Sequence, residues 1–190
     1  MHLLLISRRI PVEVLHTILL GACKYILKHV MPKLSKQQKR EILASIRSFS
    51  TSGLSTKMYG NVCYYYNSFV GRDFKGWSQM ALFVLHPYLN EGERKVLLSY
   101  SKVMSIFEIV WLPVSRVLIY SSGVYCNFFS EHCYNEWKAI CSEFVANIKA
   151  YMPDMFHKQK IHLILHLVDC MQDFGPSSAF CAERYALLNC

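Results

Sequence analysis

Apolar residues recur at spacings of three and four along most of this chain, the period of amphipathic helices. Leu15, Ile18, Leu19, Ala22, Ile26 and Val30 mark one face of a first helix. Pro11 fits its first turn, Glu13 suits its positive start and Pro32 stops it. Lys24 and Lys28 fall on another face. A second helix starts at Ser35, which forms a capping-box pattern with Gln38. It directs Ile42, Leu43 and Ile46 inward and Lys36, Lys39, Arg40 and Arg47 outward. Residues 48–72 are rich in Ser, Thr, Gly, Tyr and Asn and read as a loop, with a short strand or helical turn near 62–66. A third helix is predicted over 73–86, before Pro87, and a fourth over 91–112, before Pro113.

The fifth helix carries the clearest pattern. Ser130 can cap it, and Tyr134, Trp137, Cys141, Phe144, Ile148 and Tyr151 then form an a/d stripe that ends at Pro153. The stripe is short for a coiled coil, so it reads as a buried helix face. A sixth helix is predicted over 160–172 and a seventh over 177–189. The expectation is a mainly α chain of about seven helices. It reads as a single domain over 1–190, with a basic segment at 1–60 and a neutral one at 61–190.

Composition narrows this picture. Apolar residues make up 53% and charged residues 18% of the 190 positions, which excludes a disordered chain. No apolar run spans about 20 residues without charge or proline, so no membrane segment is expected. The net charge of +8 is local. Ten basic residues and two acids lie in 1–60, and the remaining eleven of each sign cancel in 61–190. A basic first third points to an anionic partner, DNA above all, or to a merely solvated surface. Eight cysteines without CxxC spacing read as reduced thiols acting as small hydrophobes, in the nucleus or cytoplasm.

Few clusters suggest chemistry. His162, His166 and Cys170 follow at i, i+4 and i+8 on the sixth helix, residue types that bind zinc. Buried, hydrogen-bonded histidines are the plainer reading. Glu13 and His16 share a helix side. They could hold a proton or a divalent ion, or be a helix-start acid beside a partly buried histidine. Glu183 and Arg184 read as an ion pair on the last helix. No phosphate loop, GxSxG elbow or HExxH motif occurs.

Four segments carry a resemblance. Pro11-Val-Glu-Val-Leu-His16, with Leu20-Gly-Ala-Cys-Lys-Tyr25, resembles a motif of CACTA (En/Spm) transposase-like proteins. Val70-Gly-Arg-Asp-Phe-Lys75, Lys160-Ile-His-Leu-Ile-Leu-His166, and Phe174-Gly-Pro176 through Glu183-Arg-Tyr185 match the same group in order. The resemblance implies an RNase H-like DDE class, in which three acids hold two metals for phosphodiester attack. The chain would correspond to the helical insertion and C-terminal part. By the same resemblance, Glu13 and His16 stand at an acid-x-x-His motif where Asp is usual. Ala186 takes an expected acid position, and Glu183 lies three residues before it. A first acid would have to precede Pro11. The resemblance therefore implies a fragment or domesticated derivative, with magnesium or manganese bound only if missing sequence completes the acids. A mean hydropathy of +0.18 agrees with apolar faces that once met other parts. The rival expectation is a helical module that meets another protein chain and no nucleic acid.

Overall fold

A computed structural model describes residues 12–48, 62–111 and 131–174, with the backbone alone for 107–111. The chain is mainly helical, and no strand occurs among the described residues. The predicted seventh helix, with Glu183 and Arg184, and the predicted Ser130 cap lie outside them.

The first helix differs from the expected regular one. Leu15–Cys23 is wound as a π-helix and continues into α1 (Lys24–Val30), then into a 3₁₀ turn at Met31–Lys33. This rod is the centre of the molecule. Ile18, Leu19, Ala22, Cys23, Ile26, Leu27 and Val30 are all buried. Burial nearly all round fits an inner helix. A Cβ added at Gly21 would sit 3.0 Å from the Lys160 side chain, so this glycine lets a later helix lie directly on the π segment.

Ser35 and Gln38 form the predicted capping box at the start of α2 (Lys36–Ser48). The Gln38 amide donates to Ser35 Oγ at 3.2 Å, and the Ser35 amide donates to Gln38 Oε1 at 2.8 Å. The loop expected over 48–72 contains a helical turn rather than a strand, α3 (Val62–Tyr65). A 3₁₀ turn follows at Tyr66–Ser68. The third helix, α4 (Gly71–Leu85), starts two residues earlier than expected because Asp73 accepts the Val70 amide at 3.1 Å.

α5 (Glu91–Trp111) and α6 (Glu131–Tyr151) form an antiparallel pair. Lys95 faces Tyr151, Ser99 faces Asn147, and Tyr100 packs on Phe144 with ring centroids 5.9 Å apart. The predicted stripe on α6 is buried at Cys141, Phe144 and Ile148, while Tyr134 and Trp137 are half-buried and Tyr151 is exposed. The Tyr151 ring lies across Gly92, where a Cβ would meet it at 2.4 Å.

The helix predicted over 160–172 is not continuous. After α7 (Pro153–Phe156), α8 (Gln159–Leu163) gives way to a 3₁₀ turn at Ile164–His166 before α9 (Leu167–Phe174). The tighter winding rotates residues after the turn away from a single 3.6-residue register. Ile161, Ile164, Leu167, Val168 and Met171 still reach the common core.

Candidate functional site

Glu13 is used by the backbone. Its Oε1 accepts the Leu15 amide at 2.9 Å and its Oε2 accepts the His16 amide at 2.8 Å. These are two of the amides that a helix start leaves unpaired. His16 Nδ1 lies 2.6 Å from Oε2, and the His16 side chain is 57% exposed, not partly buried. The acid-x-x-His pair is thus a helix cap with an imidazole over it. Both oxygens already face donors, a poor arrangement for a metal ligand.

The zinc cluster does not assemble either. His162 and His166 stack edge to face at 5.2 Å, both exposed, so the buried-histidine reading is also corrected. Cys170 turns elsewhere and its Sγ accepts the Val12 amide at 3.3 Å. Among the described residues no three His, Cys, Asp or Glu side chains are placed to hold a metal. Nor is any described helix long and apolar enough to cross a membrane. The cysteines at 23, 63, 141 and 170 are free thiols. Burial pushes the Cys23 and Cys63 thiols up to about 11 and Cys141 to about 12, which leaves them protonated and unreactive.

Two parts of the basic segment, Lys33 and the cations of α2, sit in different environments. Lys33 belongs to a knot at the start of α5. There Asn90 and Glu93 cap the helix reciprocally: the Glu93 amide donates to Asn90 Oδ1 at 2.9 Å, and the Asn90 amide donates to Glu93 Oε2 at 3.1 Å. The Glu93 side chain is only 7% exposed, and Lys33 Nζ lies 2.6 Å from its Oε1. Lys33 also donates to His29 Nε2 at 2.6 Å. Burial pushes the Glu93 carboxyl up, but hydrogen bonds from Lys33 and Asn90 outweigh it and hold the carboxyl below its usual value. Burial, with Lys33 beside it, holds the His29 imidazole below its ordinary value. The sequence reading missed this knot, although Asn90-x-x-Glu93 is a visible capping pattern.

The second environment is one side of α2. By helical geometry Lys36, Lys39, Arg40 and Arg47 lie within an arc of about 100°, and Lys36 to Arg47 spans roughly 16 Å. Lys36, Arg40 and Arg47 are exposed and Lys39 half-buried. Ile42 and Ile46 anchor the helix on the Lys39 flank of this arc, and the buried Leu43 falls within it. Glu41 is turned away from the cations, since its carboxylate accepts from the Tyr88 hydroxyl at 3.0 Å and from Gln37 at 2.9 Å. Among the described residues no carboxylate pairs with any of the four cations. The first turn of α2 holds no acid. Lys36, Lys39 and Arg40 therefore crowd the positive end of their own helix, where cations are disfavoured.

A different polar cluster joins α6 to α9. Asp169 Oδ1 accepts from Tyr134 at 2.5 Å and from Lys138 at 2.8 Å, and His166 Nδ1 stands 4.0 Å from Oδ2. Burial pushes the Asp169 carboxyl up, yet Lys138 and Tyr134 hold it below its usual value. Every charge there has a partner, and the cluster ties two helices together.

Comparison with protein-family models, with curated proteins and with solved structures finds no match.

Proposed function

We propose that the protein is a transposase-derived helical module that grips nucleic-acid backbones without a complete cutting centre. One observation carries the binding: four cations on one side of α2, unpaired by acids among the described residues and set partly against their own helix dipole. Such charges do little for the fold, and they suit an anionic partner. The four motifs in order support the lineage. Glu13 spent on a cap, and Ala186 at an expected acid position, support the incomplete centre.

Phosphate contacts position a protein without reading sequence. Binding is therefore expected to be sequence-tolerant and steeply salt-dependent. Duplex binding followed by fluorescence anisotropy across salt tests it. Four contacts predict a slope of log K against log salt of about −3.6, from roughly −0.9 per phosphate. Changing Lys36, Lys39, Arg40 and Arg47 together to Gln should lower affinity at least about tenfold and flatten the slope. A flat response in the unaltered protein, or no binding at low salt, would overturn the proposal.

A second reading, a protein-interaction module, is favoured by a groove of about 570 Å³ between α4 and α5. Its walls include Phe83 and Leu98, which are 64% and 49% exposed. A helix of another chain would suit it. Leu98→Asp should abolish such a complex and leave nucleic-acid binding intact, whereas the α2 variant should do the reverse.

A further inference from the structure

We infer that this face is built for single-stranded nucleic acid, with Tyr64 and Tyr65 as stacking platforms beside the cations of α2. The inference rests on the backbone-binding reading above and deepens it by naming the form of the partner.

The geometry of α3 carries it. Val62 and Cys63 are buried at 0% and 1% exposure, which fixes the inner side of this single turn. At about 100° per residue the next two side chains must swing outward. Tyr64 is 49% and Tyr65 is 63% exposed. Tyrosine rings are among the larger apolar surfaces a core can gain, yet two adjacent ones face water here. Other tyrosines of the molecule tie down their hydroxyls, Tyr88 on Glu41 and Tyr134 on Asp169. Among the described residues nothing bonds the hydroxyls of Tyr64 or Tyr65.

Their position supplies the second half of the argument. α3 packs on α2, and Lys39 Nζ lies 5.8 Å from the Tyr64 ring centroid. The Tyr64 ring therefore borders the cation side of α2 at Lys39, and the exposed Tyr65 follows it on the same single turn. Cations that track phosphates, with rings that accept bases, are the combination by which proteins hold single strands without reading sequence. A duplex offers these rings nothing to stack on, because its bases already stack on one another. In a single strand each base has a face to give.

The test uses the full chain and three labelled probes of equal length: oligodeoxyuridylate, oligouridylate and a duplex. Anisotropy titrations compare the unaltered protein, Tyr64→Ala/Tyr65→Ala and Tyr64→Phe/Tyr65→Phe. The Ala pair should weaken single-strand binding about tenfold or more, the scale of losing stacked bases. Duplex affinity should stay within about twofold, and the Phe pair should bind as the unaltered protein does, because stacking needs the ring and not the hydroxyl. Binding of both single strands supports the inference in its general form, and a preference for one assigns the sugar. Circular dichroism of each variant confirms the helical fold. Equal losses on single strand and duplex, or no loss on either, would overturn the inference and leave backbone binding standing. Failure of every probe to bind at low salt would overturn both.

Discussion

Lys33 and the α2 cations belong to one basic stretch of sequence, yet the fold treats them in opposite ways. Lys33 reaches a carboxylate that is 7% exposed, 60 positions later in the chain, and closes a knot with His29 and a helix cap. Lys36, Lys39, Arg40 and Arg47 begin three residues further on and meet no acid among the described residues. A charge count of +8 cannot distinguish the two. Pairing can: a paired cation stabilises the fold, while an unpaired one is available to a partner. The same test removes Lys138 and Lys102 from consideration, since Asp169 and Glu143 hold them.

The comparison breaks most readily at Glu93. Glu93→Gln should remove the charge that holds Lys33 and weaken a buried cap. A loss of about 2 kcal/mol is expected, the range for a hydrogen-bonded buried charge, measured by urea unfolding. A loss below about 0.5 kcal/mol would place the knot with ordinary surface pairs.

Acid should act on the same knot. The folded His29 imidazole has a lowered pKa, so the unfolded chain takes up its proton first. Stability from this group is therefore full above the ordinary histidine value of about 6.5 and declines as pH falls through it. Glu93 and Asp169 are depressed carboxyls, so their contribution is full above the ordinary carboxylate range and is lost as pH falls through their folded values. Melting temperature should thus fall in two stages on acidification. His29→Gln should erase the first and spare the second. If both stages survive in the variant, another histidine is responsible.

Asp169→Asn should matter less than Glu93→Gln, although Asp169 has more side-chain partners. Asp169 and Lys138 are each 39% exposed, and water screens the pair. Less than about 1 kcal/mol is expected from urea unfolding. A loss equal to that at Glu93 would mean that burial is not what separates the two sites.

These differences mark what the sequence could and could not disclose. Local signals were legible. Ser35 and Gln38 cap α2 as their spacing indicates, and Cys141, Phe144 and Ile148 are buried as their stripe indicates. Glu13 was legible as a helix-start acid, and the structure sharpens that role to a cap over two amides. Long-range features were not legible. Nothing near residue 33 announces a partner at Glu93. The 3₁₀ turn at Ile164–His166, after which Cys170 departs from the His162–His166 cluster, has no local breaker residue to announce it, and Ile161, Ile164 and Leu167 stay buried through it. The exposure of Tyr64 and Tyr65 was hidden for a related reason. Adjacent aromatics read equally well as core until Val62 and Cys63 are seen to occupy the inner side.

The smallest expected effect on stability is also the most informative about α2. Lys36 and Arg40 are four apart, and Lys36 and Lys39 three apart, so each pair repels across one helical turn. All three also oppose the positive end of the helix. Replacing Lys36, Lys39, Arg40 and Arg47 with Gln should therefore leave the melting temperature unchanged or raise it by about 1 °C at low salt, given a few tenths of a kcal/mol per relieved pair. The gain should vanish near 1 M salt, where screening acts within about 3 Å. A fall of several degrees would show that these cations hold the fold together, and the case for an external anionic partner would lose its basis. A rise would mean that the chain keeps four charges at a small cost to its own stability, as a role toward the proposed anionic partner predicts.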